Sequence, residues 1–572
     1  MTRQEKISRN PDSRMPLWRT GVCVLMCLAA VAVQFSALRF EALDPCDESY
    51  QAINALNYTQ APAAMLCFFI GHGWQELFGT QAIALRCLGA VGVLLSLAIG
   101  AVYYGMRRRD TFGACFLFMV TSFVAFPAVF HIFNWDTTAY PFEALMLVAA
   151  LEAWRRPGTP RAALLGAAVA LCSLARVPLV AALPLAMILV ISQARRHNSH
   201  PLRHLSALLG AYFAVWLLVT TWMCGSTAEY LGSFVSKNFI SGHSPADLGA
   251  LLIRARLDIP DLPLAWLPMT AAVVCATLYN ILARRLSGAL RAAAALLTVA
   301  VTVGTALICE RLYVGITYAF GLPLLVAVAG VLPLKRFVRQ AGETNVPLIP
   351  IVIALTAVAL TALGSDSWFE RYESMFALAP LTVYVLPDAS ARIRRWLRQI
   401  MLFCLLGAAV YTGARTAIYA TRVFTVDMSA IPRQKGLLGR PDQYRSWRAA
   451  TALMNALTET DGRALYTTAP YGLLLCHPEG IVVNFNNFRP TDSAEQANRY
   501  ADATVGADAV IFSIAKPESM PLCVRALSEE DFVIFTPAAE AGFHGFVMVR
   551  SDAYASQKRA FLRNLYSIPE ND

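Results

Sequence analysis

The chain is poor in charge. Asp, Glu, Lys and Arg make up 15% of its 572 residues against 57% hydrophobic ones, with a mean hydropathy of +0.50, and that balance excludes an ordinary soluble protein of this length. It also lacks the spacings that announce common cofactors. No CxxC or HExxH sequence frames a metal, and no GxGxxG or Walker sequence frames a nucleotide. No internal repeat is visible, which counts against the repeated halves of many transporters. The net charge of +10 is spread over the ends of apolar segments and not gathered on one face, so nucleic acid is not an expected partner.

Long apolar runs are what the sequence does have. Segments near the roughly 20 residues needed to cross a bilayer recur from Leu17 to Tyr419. About 13 spans predict a polytopic α-helical membrane protein. Arginine clusters set its orientation: Arg3 to Arg19, Arg107 to Arg109, Arg155 with Arg156 and Arg161, Arg195 with Arg196 and Arg203, Arg284 with Arg285 and Arg291, Lys335 to Arg339, and Arg392 to Arg398. Two spans separate each cluster from the next, so all of them fall on the cytoplasmic side and the intervening loops lie outside. The first span shows no small-residue cleavage site before Glu41 and is read as retained, with the N terminus cytoplasmic.

The reading divides the chain into a transmembrane domain, residues 1–420, and an extracytoplasmic soluble α/β domain, residues 421–572. In the second part, 441–458 and 493–503 read as helices, and 464–468, 481–485, 509–513, 532–535 and 545–549 as strands. Of the 13 cysteines most fall inside spans as small core residues; Cys476 and Cys523, in the outside tail, could pair. The first outside loop, 39–82, holds an acidic cluster and an amphipathic stretch, 65–78, expected to lie along the membrane surface. Spans five and six are expected to be short helices meeting near Arg176 and Pro178, with Arg176 at the outer surface.

A carboxylate beside hydrocarbon is costly unless paired or wet, so Asp44, Asp47 and Glu48, just past the first span, are the leading functional candidates. Two readings stand side by side. Asp44 as N-cap, Pro45 at the first helical position and Asp47 in the first turn make a sound helix start. Alternatively Asp47 is a general base that takes the proton of an attacking hydroxyl, while Glu48, about 100° further round the helix, orients the acceptor or pairs with an arginine. Asp136 is a second outside acid or the cap of span four with Thr137 and Thr138. Outside cations that could meet an anion are Arg86, Arg176, Lys237, Arg254, Arg256, Arg311 and Arg371, with Tyr372 beside the last; each also has a plain reading as a salt bridge or headgroup contact. Asp47, Glu48 and Asp136 could offer oxygens to a divalent cation, although the reading requires no cofactor. His72, His131 and His243 are expected to be structural or solvated.

Asp47 and Glu48 followed by Tyr50 in the first outside loop resemble the signature of the GT-C membrane glycosyltransferases, nearest the aminoarabinose transferases that act on lipid A and the protein O-mannosyltransferases. The resemblance continues through Arg86, the Arg107 to Arg109 turn, Asp136 and the stretch 174–178; beyond roughly residue 200 it rests on topology. It implies an inverting transferase at the outer face of the cytoplasmic membrane. The donor would be a sugar on a polyprenyl phosphate, and the acceptor a lipid, glycan or protein. Asp47 would be the base, with Glu48 and Asp136 beside it. Arg86, Arg176, Arg311, Arg371 and Tyr372 would hold the donor phosphate, and Tyr50, Lys237, Arg254 and Arg256 would face the acceptor or form a lid. In one respect the chain departs from the aminoarabinose transferases: where they carry Lys-Pro-Pro it has Gln60-Ala61-Pro62, and Gln60 supplies no charge. The rival readings are a secondary transporter and a non-catalytic subunit for assembling envelope polysaccharide.

Overall fold

The computed structural model describes residues 16–44, 47–56, 58, 65–125, 133–238, 274–275, 278–279, 281–282, 285–311, 348–362, 378–385, 403, 406–407, 409–458, 465–467, 509–513, 532–535 and 545–550. The helices relevant to the site are α1 (Leu17–Phe35), α2 (Asp47–Leu56), α3 (Met65–Phe78), α4 (Ala82–Arg108), α5 (Thr111–Ala125), α6 (Trp135–Arg155) and α7 (Thr159–Ala175). A 3₁₀ turn (Val177–Ala181) leads into α8 (Ala182–Arg196), followed by α9 (Pro201–Cys224), α10 (Thr227–Asn238), α11 (Gly288–Arg311) and α12 (Leu348–Ala362). Among the described residues, four helical segments are long and apolar enough to cross a membrane: Leu17–Phe35, Ala82–Arg108, Val177–Arg196 and Pro201–Cys224. The expected spans beyond these include shorter apolar helices and segments outside the described residues.

Outward faces of these helices are apolar where a soluble bundle would be polar. Leu25 and Leu28 on α1, Val102 on α4, Leu164 on α7, Ile188 on α8 and Leu218 and Trp222 on α9 all stand exposed. Such a surface is stable in hydrocarbon and not in water. Inside, α6, α7, α8 and α9 share one core built largely from small residues, including Ala149, Ala150, Ala170 and Ala186. With no hydrophobic drive between helices in lipid, close backbone approach and a few polar contacts hold them. On α7, a Cβ at Gly166 would lie 2.0 Å from the Leu208 carbonyl oxygen of α9. That obstacle is backbone and cannot swing aside, so Gly166→Ala is expected to push the two helices apart at a cost of about 1–3 kcal/mol, read as a lower thermal midpoint in detergent. Between α1 and α5, Gln34 donates to the Ser122 carbonyl at 2.7 Å and the Ser122 hydroxyl donates to the Ala30 carbonyl at 2.7 Å, a polar lock between two otherwise apolar helices.

Helix directions follow the basic clusters. α4 ends at Arg107 and Arg108 with Arg109 in a left-handed cap at φ 53°, α6 ends at Arg155, and α8 ends at Arg195 and Arg196. At this end Arg107 pairs with Glu152, which also accepts from the Tyr103 hydroxyl at 2.8 Å, tying α4 to α6. The opposite end gathers the starts of α4 and α6, the end of α7, and the short helices α2 and α3.

After a π-helical turn (Tyr419–Val423), the chain forms β1 (Val426–Asp427) and β2 (Leu438–Gly439), an antiparallel pair, and then helix Pro441–Thr458. The remaining described strands are β3 (Leu465–Thr467), β4 (Ala509–Ser513), β5 (Phe532–Phe535) and β6 (Gly545–Arg550), ordered β3-β4-β6-β5 with only β3 and β4 parallel. The helix at 493–503, the strand at 481–485, and Cys476 and Cys523 lie outside the described residues.

Candidate functional site

The segment between α1 and α2 is organised by one buried arginine. Arg86, in the first turns of α4 and 6% exposed, donates from Nε to Glu48 Oε1 at 2.6 Å and from Nη2 to Glu48 Oε2 at 2.8 Å. Its Nη1 serves the carbonyls of Leu38, Phe40 and Glu41, each at 3.0 Å, and Nη2 also reaches the Ala42 carbonyl at 3.3 Å. A guanidinium has five N–H donors, and here all five meet protein acceptors. Arg86 therefore has no donor left for a lipid phosphate, the role the sequence reading gave it. Its work is to gather four carbonyls and fix the carboxylate of Glu48, which is itself 4% exposed.

Asp44 bonds the first turn of α2. Its carboxylate accepts from the backbone N–H of Glu48 at 3.3 Å, and Glu48 returns the contact by accepting from the Asp44 N–H at 3.1 Å. The Ser49 hydroxyl donates to the Asp44 carbonyl at 2.6 Å. The reciprocal contact resembles a capping box and shares Glu48 between the cap and Arg86. Asp47 is the first residue of α2, next to this clamp. Its backbone position is described, as are those of Lys237 in α10 and Arg311 at the end of α11; Arg254, Arg256, Arg371, Tyr372, His131 and His243 lie outside the described residues.

Glu41 sits in the same clamped loop at φ 76°, the left-handed region that glycine favours. Burial pushes its carboxyl above the ordinary glutamate value, Arg86 opposes the rise and Glu48 adds to it. The folded protein thus holds this proton more tightly than the unfolded chain does. The penalty is absent below the ordinary glutamate range and develops as pH rises through the raised value. Glu41→Gln is accordingly expected to raise the thermal midpoint at neutral pH, an advantage that disappears in scans at progressively lower pH.

The second acidic position is built differently from the expectation. Asn134, not Asp136, caps α6: its side chain accepts from the Thr137 N–H at 2.8 Å, and the Thr137 hydroxyl accepts from the Asn134 N–H at 3.0 Å. Asp136, in the first turn and 1% exposed, instead pairs with Arg176. Arg176 ends α7 in an extended conformation at φ −149°, and Pro178, which has no N–H to bond the Leu174 carbonyl, lies in the 3₁₀ turn that follows. It was expected at the outer surface; it is 6% exposed, turned into the bundle toward Asp136.

Two residues join these halves. Tyr50, one turn along α2 from Asp47, meets Trp135 edge-on at 6.3 Å between ring centroids and Phe68 of α3 at 6.1 Å. Trp135 immediately precedes Asp136, so the start of α2 and the Asp136–Arg176 pair are brought to one end of the bundle. The Thr138 hydroxyl also donates to Cys67 Sγ at 3.3 Å, fastening α6 to α3. His72 lies 3.4 Å from Glu76 and 5.1 Å from the Tyr58 ring.

Sequence reasoning passed over Glu143. It lies two turns along α6 from Asp136, is 2% exposed, and neither carboxyl oxygen has a hydrogen-bond partner among the described residues. A lone carboxyl in an apolar helix is the signal that could have found it. Between the two acids, Pro141 leaves the Thr137 carbonyl without its helical donor, and a Cβ at Gly92 of α4 would lie 2.3 Å from that oxygen. Gly92 is therefore what lets α4 pass close to the start of α6. For a divalent cation, the oxygens of Glu48 are poor ligands because Arg86 already holds both; among the described residues no group of three His, Cys, Asp or Glu side chains is placed to hold a metal.

No family model matches the sequence, and no curated protein matches it. Among solved structures, ArnT from Cupriavidus metallidurans bound to undecaprenyl phosphate is similar over 93% of this chain and 98% of its own, at 14% identity and a TM-score of 0.41. The archaeal oligosaccharyltransferase AglB from Archaeoglobus fulgidus, in complex with an inhibitory peptide and a dolichol-phosphate, is similar over 96% of this chain and 78% of its own, at 13% identity and a TM-score of 0.42. The Archaeoglobus fulgidus oligosaccharyltransferase in complex with Zn and sulfate aligns over 95% and 76%, at 13% identity and a TM-score of 0.44.

Proposed function

We propose that this chain is a GT-C type glycosyltransferase that moves a sugar from a polyprenyl-phosphate donor to an acceptor at the outer face of the membrane. The observation that carries the reading is the gathering of the α2 start and the Asp136–Arg176 pair through the Tyr50–Trp135 contact, at the end of the bundle opposite the arginine-rich helix ends. The residue pattern Asp47, Glu48 and Tyr50, with its resemblance to that family, supplies the donor class.

In this mechanism Asp47 accepts the proton of the acceptor hydroxyl while the oxygen attacks the anomeric carbon. The new carbon–oxygen bond forms as the bond to phosphate breaks, the electron pair leaves with polyprenyl phosphate, and the configuration inverts. Glu48 is held by Arg86 and acts by fixing the start of α2. Asp136 and Arg176 set the opposite wall. With the Arg86 donors engaged, the leaving phosphate falls to Arg311, Arg371 and Tyr372, and Lys237, Arg254 and Arg256 border the acceptor side. The region after Tyr419 forms an extracytoplasmic α/β domain over that side.

The test is direct. Purified protein in nanodiscs is supplied with a panel of polyprenyl-phosphate sugars and envelope acceptors, and release of polyprenyl phosphate is followed with the glycosylated product. Product formation is expected. Solute uptake by proteoliposomes with no transfer would favour a transporter, and envelope glycans unchanged by deleting the gene would remove the reading.

A further inference from the structure

The backbone of the first outside loop has two sides, and Arg86 holds only its carbonyls. The other side is held by residues almost four hundred positions away. Leu43 donates its N–H to the Gln434 side-chain oxygen at 3.2 Å, and the Leu438 N–H donates to the Arg39 carbonyl at 2.7 Å. Phe40 and Leu438 form a parallel bridge, and Phe40 packs against the rings of Phe424 at 6.3 Å and Tyr419 at 6.2 Å. The same segment grips the start of α4: the Ala82 N–H donates to the Arg433 carbonyl at 2.8 Å, and the Lys435 N–H to the Gln81 side-chain oxygen at 3.1 Å.

Its shape is fixed by two left-handed residues, Arg433 at φ 61° and Gly436 at φ 88°, and by internal bonds from Ile431 to Met428 and from Leu437 to Gln434. Gln434 is 0% exposed at the centre of this turn. Among the described residues its Nε2 has no partner, and the bond from Leu43 is the polar contact its side-chain amide makes there. A buried amide retained for one bond is a costly way to fill space and a specific way to fix a backbone.

We infer that residues 424–439 form a strap whose Gln434 is a positioning residue for the acids of the first loop. The inference rests on the glycosyl-transfer reading. Leu43 immediately precedes the cap Asp44, so the strap and Arg86 hold the approach to α2 from opposite sides and fix where Asp47 begins the helix. Strap and sheet strands are also continuous in sequence through the helix Pro441–Thr458, so the region beyond Tyr419 is joined to this loop by hydrogen bonds as well as by the chain.

Gln434→Met keeps the volume and deletes the acceptor; Gln434→Glu keeps an acceptor oxygen. In the full-length protein the Met variant is expected to lower kcat about tenfold with KM for the lipid donor unchanged, because a displaced base acts on chemistry and not on donor binding. The Glu variant is expected to recover part of that loss, and hydrogen exchange at residues 38–44 is expected to quicken more in the Met variant than in the Glu variant. Gln81→Ala removes one exposed strap bond without touching the buried turn, and should move both readouts in the same direction by less. Should Gln434→Met not accumulate, this second variant decides the matter. An active wild type whose variants keep its kcat overturns the strap, whatever the exchange shows. Quickened exchange in a protein whose wild type transfers no sugar overturns the transfer reading and leaves the clamp standing.

Discussion

Asp47→Asn is expected to lower sugar transfer by about 10²–10⁴-fold while the protein still inserts, folds and binds the lipid donor. The substitution keeps the shape of the side chain and removes its capacity to take a proton. Stability should be nearly unaffected for a reason visible in the loop: Asp44 supplies the cap of α2 and Glu48 the ion pair, so neither task falls to Asp47. Steady-state kinetics on detergent-purified protein, with a thermal scan of the same sample, separates the outcomes. Retained turnover would remove Asp47 as the base; an equal loss of thermal midpoint and turnover would return it to a structural role.

Arg86→Ala is expected to produce the largest loss of stability, about 3–5 kcal/mol, because it leaves the buried Glu48 carboxylate unpaired and strips the donors from four carbonyls. Arg86→Lys should rescue little, since a single ammonium with three donors cannot replace a planar fork. The double variant Arg86→Met with Glu48→Met should recover part of the loss, as no charge is then stranded. Thermal midpoints of the single and double variants measure the coupling. An Arg86→Ala protein as stable as the wild type would show that the loop holds itself.

Local features of this site were legible in the sequence. Acidic residues before a polar helix gave the Asp44 cap, and the bounds of α3 and the break at Arg176-Val177-Pro178 follow from apolar periodicity and from proline. What could not be read were partners set by packing. That Glu48 pairs with an arginine is one of the two roles its position suggests, but nothing near Arg86 announces that it is that arginine or that its fork also closes on four carbonyls, and Gln434 is 391 residues from the amide it accepts from. Arg176 is expected at the outer surface from its place at a helix break; it is buried because Asp136, a buried acid, is its partner. The Asn134 cap is legible in its three-residue spacing to Thr137, with Asp136 between them as a competing candidate.

One helix is fastened along its whole length. Arg86 anchors the start of α4, Gly92 seats its middle against α6, and Arg107 bonds its far end to Glu152. Such a helix behaves as a stator. On the proposed glycosyl-transfer reading, any breathing that admits a polyprenyl chain has to be hinged on other helices, so spin labels placed on α4 and α6 should keep a fixed separation on addition of polyprenyl phosphate while labels elsewhere report the opening.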